Sequence, residues 1–394
     1  MFEITKQINN ILRTGWEEEI YNKVKSLSSL IKELKENPKN VTIHCIRHYD
    51  LDGIGVDLVM RKLAKAIGCE VIFYVEDVRA DDSFENILKN MTPYDYIFIG
   101  DLSFSNKTFV EDKIFKHISL HKKLIILDHH QSALWMNEYD FTFIKPHDCK
   151  NCIISSGTIL TFLAFKELLY GNLNRNEYSV LEKICNCIAA YDTYFFKEQM
   201  ELSESQYGSY PNDLNILFKY YNSIGKSQEF LQNLFDLDWA HVANIHERNV
   251  ICAGLWLNFN DKDRAIIEIQ KNNIQSEIDK ALLDMKVINI HSKSVEYDSV
   301  YDGQLLCGVY YYSGPYVSEI GNAMCDNKEI KIDFAVIIDM NHNKVSLRCK
   351  NDDLDLTQLI KDIPNAGGHP KACGFNFDKS ITDNNTLKIL SMLK

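Results

Sequence analysis

Carboxylate and imidazole side chains gather at four places in this chain of 394 residues, each directly after an apolar run or a helical stretch. The first place is the segment His48-Tyr49-Asp50-Leu51-Asp52-Gly53, and another is the triplet Asp128-His129-His130. Asp101 and Asp192 follow the two remaining runs. Carboxylates mixed with imidazoles, without cysteine, suit hard or borderline divalent ions such as Mn²⁺ and Mg²⁺. The residue types therefore predict a metal centre.

The spacing of the carboxylates favours a pair of ions. Asp50 and Asp52 alternate across a predicted loop and can serve two neighbouring ions, which Asp101 can bridge. Two ions about 3.5–4 Å apart form a clamp for in-line displacement at phosphorus, where they activate water and neutralise phosphoryl charge. Taken alone, Asp101 and Asp192 fit a turn or a helix end better, and His48 fits a loop histidine equally well. Their joint occurrence in this order favours the metal site.

A second group of residues, near the carboxyl end, suits a bound phosphate. Glycines let backbone N–H groups approach an anion closely, and neighbouring cations add charge. Arg348, on a predicted strand just upstream, offers a planar guanidinium for the same phosphate. The alternative is a simple glycine turn with a surface arginine. The glycines and cations of this group are Gly367, Gly368, His369 and Lys371.

The elements that position these side chains are short apolar strands alternating with helices. Such strands predict a parallel sheet that is covered on both faces. The carboxyl ends of parallel strands lie along one edge, where open α/β folds bind their ligands, so three of the four clusters should converge. The predicted strands are 41–46, 71–75, 96–99 and 124–127, with a loop over 47–53, a helix from there to Ile67 capped by Gly68, and a helix over 177–190.

The remaining sequence predicts a helical connector and a second, smaller α/β domain. Residues 200–290 are mostly helical in pattern and poor in strands, and strand character returns over 305–311, 332–338 and 344–349. A last helix is predicted near 384–393. The expected domains are an N-terminal helical extension (1–40), a catalytic metal-binding domain (41–199), a connector (200–295) and a substrate-binding domain (296–394).

Composition limits the function and location of the protein. The chain carries 55 Asp and Glu against 43 Lys and Arg, a net charge of −12, which disfavours binding of long nucleic acid over the general surface. No apolar run is long enough for a membrane span, and the first residues lack a signal-peptide pattern. Eleven scattered cysteines predict free thiols in the cytoplasm. The pairs Cys149/Cys152 and Cys185/Cys187 are weak alternatives as zinc sites.

These motifs resemble the DHH–DHHA1 phosphoesterase superfamily, which includes the single-strand exonuclease RecJ, nanoRNA-degrading oligoribonucleases and cyclic-dinucleotide phosphodiesterases. The resemblance covers about residues 41–195 and 296–394. Two linked domains with all the motifs in order make it specific. The matching motifs are His48-x-Asp50-x-Asp52-Gly53, Asp101, Asp128-His129-His130, Asp192 in Tyr191-Asp192-Thr193, and Gly367-Gly368-His369-x-x-Ala372-x-Gly374.

The resemblance implies a role for each matching residue. One ion would be held by His48, Asp50 and Asp101. The other would be held by Asp52, Asp101, His129 and Asp192, with Asp101 bridging. His130, beside Asp128, would face the scissile phosphate. The substrate would be gripped by Arg348, Gly367, Gly368 and His369.

The resemblance also implies an activity. A phosphodiesterase with two Mn²⁺ ions, or Mg²⁺ in their place, would release 5′-mononucleotides from very short single-stranded RNA or DNA, as in the oligoribonuclease branch. A cyclic-dinucleotide or phospho-adenosine phosphoesterase, or a RecJ-like single-strand exonuclease, is the alternative, and a homo-oligomer is left open. A scaffold without metals and a pyrophosphatase are disfavoured. Two features depart from the family pattern: Ala366 replaces the first glycine, and His48 lies only two residues before Asp50.

Overall fold

The computed structural model describes ten segments of the chain and divides it into two compact units. Unit 1 is Met1–Arg264 and unit 2 is Ala265–Lys394. The division falls within the segment expected to be a connector, and the four-part domain assignment stays a prediction. The described residues are 15–77, 79–115, 123–147, 154–195, 209–237, 259–291, 304–351, 353–364, 366–377 and 389–393.

Unit 1 combines a five-stranded sheet with helices. Its strands are β1 (Thr42–His48), β2 (Glu70–Glu76), β3 (Asp95–Gly100), β4 (Leu124–Asp128) and β5 (Thr142–Ile144). Its helices are α1 (Trp16–Lys23), α2 (Lys25–Glu36), α3 (Leu51–Ile67), α4 (Asp81–Leu88), α5 (Lys107–Val110), α6 (Gly157–Asn172), α7 (Arg175–Asp192), α8 (Tyr210–Ser223) and α9 (Ser227–Phe235). Helix α10 (Asp261–Asp284) begins in the last residues of unit 1 and continues into unit 2.

All the strand pairs of this sheet are parallel, in the order β2-β1-β3-β4-β5. Every residue of β3 and β4 is buried, as expected of parallel strands covered on both faces. Helix α3 packs against β1 and α6, while Phe84 and Phe104 belong to an apolar cluster around Ile97 and Ile99. The predicted α/β fold with a parallel sheet is therefore confirmed.

Helix α3 begins earlier than its sequence indicates. The side chain of Asp50 accepts a hydrogen bond from the backbone N–H of Gly53 and so caps the helix. The prediction of a loop over 47–53 is therefore wrong for its second half, because Asp52 and Gly53 belong to the first turn of α3. Gly68 ends the helix with a φ of 86°, as predicted.

Unit 2 contains a mixed sheet of six strands in the order β10-β11-β9-β8-β7-β6. The β7–β8 pair is parallel, and the other pairs are antiparallel. Leu305, Val336 and Leu347 contribute to its buried core. Its strands are β6 (Lys286–His291), β7 (Gln304–Tyr311), β8 (Phe334–Asp339), β9 (Lys344–Cys349), β10 (Gly367–His369) and β11 (Ala372–Asn376), and its helices after α10 are α11 (Val317–Cys325) and α12 (Leu356–Ile360).

Several sequence predictions need correction or lie outside the described residues. The segment 200–290 was expected to be mostly helical and poor in strands, and it contains one strand that was not predicted, β6, which begins at Lys286 and pairs with β7. Residues 1–14 and the first half of the helix predicted near 384–393 lie outside the described residues, as do Cys149 and Cys152. Within the described part of the chain, no helix combines the length and apolar character that a membrane crossing requires.

Candidate metal centre

One edge of the parallel sheet carries most of the predicted ligands. His48 ends β1, Asp101 directly follows β3, and Asp128 ends β4, so their side chains start from neighbouring strands. Asp192 was expected to follow a helix that ends near Ala190. Instead it is the last residue of α7, because the backbone N–H of Thr193 still bonds to the carbonyl of Ala189. The sheet edge and the end of α7 together form the site.

Three side chains make a first group of ligand atoms at this edge. The group consists of His48, Asp50 and Asp101, and its ligand atoms lie within 4.8 Å of one another. Nδ1 of His48 lies 2.9 Å from Oδ2 of Asp50 and 3.7 Å from Oδ2 of Asp101. Nε2 of the same ring lies 2.7 Å from the carbonyl oxygen of Asp77. That contact orients the ring, as outer-shell partners of ligating histidines do.

A second group lies around Nε2 of His129. It consists of Asp52, His129 and Asp192, again with ligand atoms within 4.8 Å of one another. Nε2 lies 3.3 Å from Oδ2 of Asp192 and 3.8 Å from Oδ2 of Asp52. The same nitrogen lies 3.3 Å from Oδ1 of Asp101, so Asp101 stands between the two groups.

Asp101 is the strongest indication that the pocket suits a cation. Its side chain is 1% exposed, and within the described residues neither of its carboxylate oxygens has a hydrogen-bond partner. Burial, followed by the charges of Asp52 and Asp50, raises its pKa well above the usual range. The backbone at Asp101 has a φ of 63°, a left-handed conformation uncommon outside glycine. A buried, repelled carboxylate without donors is satisfied by a divalent ion, so the residues fit one.

The other carboxylates respond in different ways to the same crowding. Burial and the charges of Asp52 and Asp50 also raise the pKa of Asp192. Desolvation acts to raise the pKa of Asp50 as well, but the charge and hydrogen bond of His48 bring it below its usual range. Desolvation opposes protonation of His48, yet Asp50 and the Asp77 carbonyl raise its pKa to about 9. Without a cation, His48 therefore supplies part of the missing positive charge.

Asp128 and His130 form a close pair, and their ligand atoms also lie within 4.8 Å of those of Asp101 and His129. Oδ1 of Asp128 accepts hydrogen bonds from the backbone N–H groups of His129 and His130, at 2.7 and 3.3 Å. It also lies 2.7 Å from Nδ1 of His130. Burial raises the pKa of Asp128, but the charge and hydrogen bond of His130 lower it overall. Asp128 is therefore ionised at neutral pH, which makes Nδ1 the donor and fixes the orientation of the ring.

Helix α6 also contributes to the site, which its sequence did not predict. The carboxylate of Asp52 accepts hydrogen bonds from the backbone N–H groups of Gly157, at 2.6 Å, and Thr158, at 3.0 Å. These are the first two residues of α6, and Ser156 caps the helix. The run of small polar residues Ser155-Ser156-Gly157-Thr158 is a recognisable helix start. Nothing in the sequence connects it with Asp52, about a hundred positions earlier.

The predicted phosphate-binding residues lie on strands β9 and β10 of unit 2 and in the turn between β10 and β11. Arg348 is on β9, and its guanidinium donates to the carbonyl of Leu347, at 2.8 Å, and to Oγ of Ser318, at 2.9 Å. Strand β11 separates β9 from β10, which contains Gly367, Gly368 and His369. These glycines therefore form an edge strand where a turn was the alternative, while Nζ of Lys371 donates to the Asn351 carbonyl.

The backbone conformation of Gly368 and the burial of two cysteines bear on the roles predicted for these residues. Gly368 has a φ of 134°, and a Cβ atom there would lie 2.5 Å from the carbonyl oxygen of Ala372. Only glycine fits this position without displacing backbone. Cys185 and Cys187 are buried cysteines of α7, and burial raises the pKa of Cys187 to about 12. That environment favours the neutral thiol over a zinc-binding thiolate.

Comparison with known proteins gives relatives of modest identity over most of the chain. No protein-family model matches. The oligoribonuclease NrnB of Bacillus subtilis is 24% identical over 347 residues, which cover 86% of this chain and 73% of that protein. A 3′,5′-cyclic-nucleotide phosphodiesterase of Helicobacter pylori is 25% identical over 350 residues, which cover 85% of this chain and 93% of that protein.

A solved structure shares the fold. RecJ from Thermus thermophilus, in complex with Mn²⁺, superposes with a TM-score of 0.55 at 13% identity. The match covers 93% of this chain and 54% of that one, so this chain spans about half the length of that RecJ. At this identity the likeness concerns the fold, and the chemistry must be argued from the residues of the site.

Proposed function

We propose, on the premise that this chain belongs to the DHH–DHHA1 phosphoesterase superfamily, that it uses two Mn²⁺ ions to hydrolyse short oligonucleotides to 5′-mononucleotides. Both relatives named above carry names of enzymes that hydrolyse phosphodiesters. In this proposal the metal ligands are His48, Asp50, Asp52, Asp101, His129 and Asp192, and Mg²⁺ is the alternative metal.

One observation carries the proposal: Asp101 lies between two groups of ligand atoms and has no hydrogen-bond partner of its own among the described residues. A carboxylate that only capped a helix or closed a turn would accept backbone N–H bonds. Asp50 does so as the cap of α3, whereas Asp101 does not. A bridging ligand needs both its oxygens, and both oxygens of Asp101 are available for that purpose.

The residues of unit 1 would have two roles at the phosphate: the metal ligands would hold the ions, and His130 would contact the phosphate. When bound, the two ions lower the pKa of a water molecule and offset the negative charge of the phosphoryl group. His130, whose side chain is 27% exposed, is held by Asp128 through Nδ1, which leaves Nε2 as the nitrogen to approach the phosphate. Through Nε2, His130 would contact a phosphoryl oxygen and help to orient it in the transition state.

Substrate capture is assigned in this proposal to unit 2. The guanidinium of Arg348, oriented by Ser318 and the Leu347 carbonyl, would bind a substrate phosphate, and the β10 edge strand with His369 and Lys371 would contact the terminal nucleotide. The net charge of −12 supports a short substrate, because a protein that tracks long strands needs an extended basic groove.

A second candidate function is a phosphodiesterase for cyclic nucleotides. The Helicobacter pylori relative, matched over 93% of its length, carries that name. The same metal site would serve either substrate, because both present a phosphodiester to the ions. The difference would therefore arise from the contacts that unit 2 makes with the nucleoside.

A substrate panel tests the proposal directly. Purified protein with Mn²⁺ is incubated with dinucleotides, 5-mers and 20-mers of RNA and DNA, cyclic dinucleotides, 3′,5′-cyclic mononucleotides and pyrophosphate. We expect the highest kcat/KM on dinucleotides to 5-mers, with 5′-mononucleotide products, and a loss of at least about 100-fold in Asp128→Ala. Preference for 20-mers, or turnover of cyclic substrates alone, would overturn the choice of substrate; no turnover of any phosphodiester would overturn the function.

The cellular setting is also a proposal. Cys45 and Cys307 are buried free thiols, which suits the reducing cytoplasm. Substrates in that compartment would be the short fragments left by other nucleases acting on longer RNA or DNA.

A further inference from the structure

Asp52 is tied to the start of α6 by three hydrogen bonds. Besides the two backbone N–H groups that bind its carboxylate, the hydroxyl of Thr158 donates to the carbonyl oxygen of Asp52, at 2.7 Å. All the groups involved are buried, since Asp52 is 1% exposed and Thr158 is 0% exposed. The positive end of the α6 dipole also faces the carboxylate and stabilises its charge. Asp52 is thus fixed in position by α6.

The same turn of α6 is in contact with Asp101. A Cβ atom at Gly157 would lie 2.4 Å from Cβ and 2.7 Å from Cα of Asp101, so no larger residue fits between α6 and this carboxylate. Asp101 itself is in a left-handed conformation and is held by its backbone N–H, which donates to the carbonyl oxygen of Leu127 at 3.0 Å. Gly157 therefore touches one ligand with its backbone N–H and the other with its Cα.

We propose that the first turn of α6 is a positioning element that sets the separation of the two ion sites, with Thr158 holding Asp52 and Gly157 supporting Asp101. This inference rests on the proposed two-metal function. Asp52 belongs to one ligand group, and Asp101 stands between both groups. A single rigid turn that contacts both residues fixes the distance between them, whereas strand ends alone would leave Asp52, on α3, free to shift relative to β3.

The two residues of the turn predict different defects. Loss of the Thr158 hydroxyl releases the backbone of Asp52 but leaves the first group, around His48 and Asp50, intact. One ion should then bind more weakly while the other is unaffected. A methyl group at Gly157 displaces Asp101, which serves both groups, so both ions should be weakened.

Mn²⁺ binding to the full-length, metal-stripped protein tests this without relying on activity. Titrations followed by calorimetry and by electron paramagnetic resonance, which detects coupling between paired Mn²⁺ ions, are carried out on wild type and Thr158→Val. In Thr158→Val we expect the Mn²⁺ affinity of one site to fall by about 10–100-fold, which is the typical cost of losing an outer-shell partner of a ligand. The affinity of the other site should change by less than about 3-fold. The coupling signal should decrease, and Thr158→Ser should restore it.

A matched control and a second variant make the result decisive. Thr142→Val also removes a buried threonine hydroxyl, which donates to the Met136 carbonyl, but it touches no residue of the site. It should bind both ions as wild type does. Thr158→Ala carries the same expectation as Thr158→Val should the valine variant not fold, and Gly157→Ala should weaken both ions.

Three results would overturn the inference. They are normal binding of both ions by the Thr158 variants, equal weakening in Thr142→Val, and failure of Thr158→Ser to restore coupling. Wild type that binds fewer than two ions would instead refute the proposed function itself. Wild type with two ions and unaffected Thr158 variants would refute the positioning role alone, so the two failures are distinguishable.

Discussion

Replacement of Asp101 by asparagine should leave the metal-free protein at least as stable as wild type and abolish its stabilisation by Mn²⁺. Such a result is unusual for a residue that is 1% exposed, because substitutions of buried polar residues generally destabilise. It is expected here because Asp101 is repelled by its neighbours and accepts no hydrogen bond from the described residues. The amide has the same shape as the carboxylate and carries no charge.

The magnitude follows from the distances in the site. The ligand oxygens of Asp50 and Asp101 lie within 4.8 Å of each other, a separation at which two unit charges repel by about 3 kcal/mol at an effective dielectric constant of about 20. This value is an upper limit, because the raised pKa of Asp101 relieves part of the repulsion by protonation and the His48 ring 3.7 Å away offsets another part; asparagine removes what remains. Mn²⁺ at 100 times its Kd stabilises a site by about 2.7 kcal/mol. In a unit of this size that free energy corresponds to a rise in Tm of about 5–10 °C.

Thermal melting of metal-stripped protein, with and without added Mn²⁺, measures both effects. Asp95→Asn is the matched control, because Asp95 is also buried and lies at the opposite end of the same strand, where it accepts two hydrogen bonds from Thr92. This control should lower the Tm of the metal-free protein and keep the rise on adding Mn²⁺. If Asp101→Asn instead melts well below wild type, or still gains the full Mn²⁺ rise, the reasoning about Asp101 is refuted.

Further variants separate substrate capture, chemistry and folding. Arg348→Ala should raise the KM for a dinucleotide by about 10–100-fold with little change in kcat, because a charged hydrogen bond to phosphate is worth about 1.5–3 kcal/mol. Lys350→Ala is the control. An effect of Arg348→Ala on kcat alone would contradict the assignment of Arg348 to substrate binding. Asp128→Ala should lower kcat by at least about 100-fold by releasing His130, and steady-state kinetics showing less than a 10-fold loss would contradict that role. Gly368→Ala should lower the free energy of unfolding, measured by denaturant titration, by about 1–3 kcal/mol, because alanine is strained at the φ of 134° found at this position. An unchanged midpoint of unfolding would show that strand β10 adapts to the alanine.

The parts of the fold that could be predicted are those in which local pattern and burial agree. The apolar runs that became β3 and β4 sit in the middle of a covered sheet, so every position is buried and the pattern is continuous, whereas β1 is buried at four of its seven positions. Parallel pairing then places His48, Asp101 and Asp128 at one edge. The topology of the sheet is enough to bring these residues close together without any knowledge of their contacts.

The parts that escaped prediction lack a local pattern. Helix α6 is apolar on all sides, since it is buried from Gly157 through Phe165, and it therefore shows no amphipathic stripe. Strand β5 has only three residues. The position of Asp52 in the first turn of α3 depends on a cap from Asp50, and its bonds to α6 join distant positions of the chain. Contacts of this kind arise from tertiary packing, which sequence periodicity does not record.

Diffraction from crystals grown with Mn²⁺, with data collected at the manganese absorption edge, tests the central claim most directly. The account predicts two anomalous peaks per chain, about 3.5–4 Å apart, both in contact with the carboxylate of Asp101. One peak should also contact Asp50 and the other Asp52. A single peak, or peaks that leave Asp101 without a metal, would contradict the two-ion site on which the proposed phosphodiesterase chemistry depends.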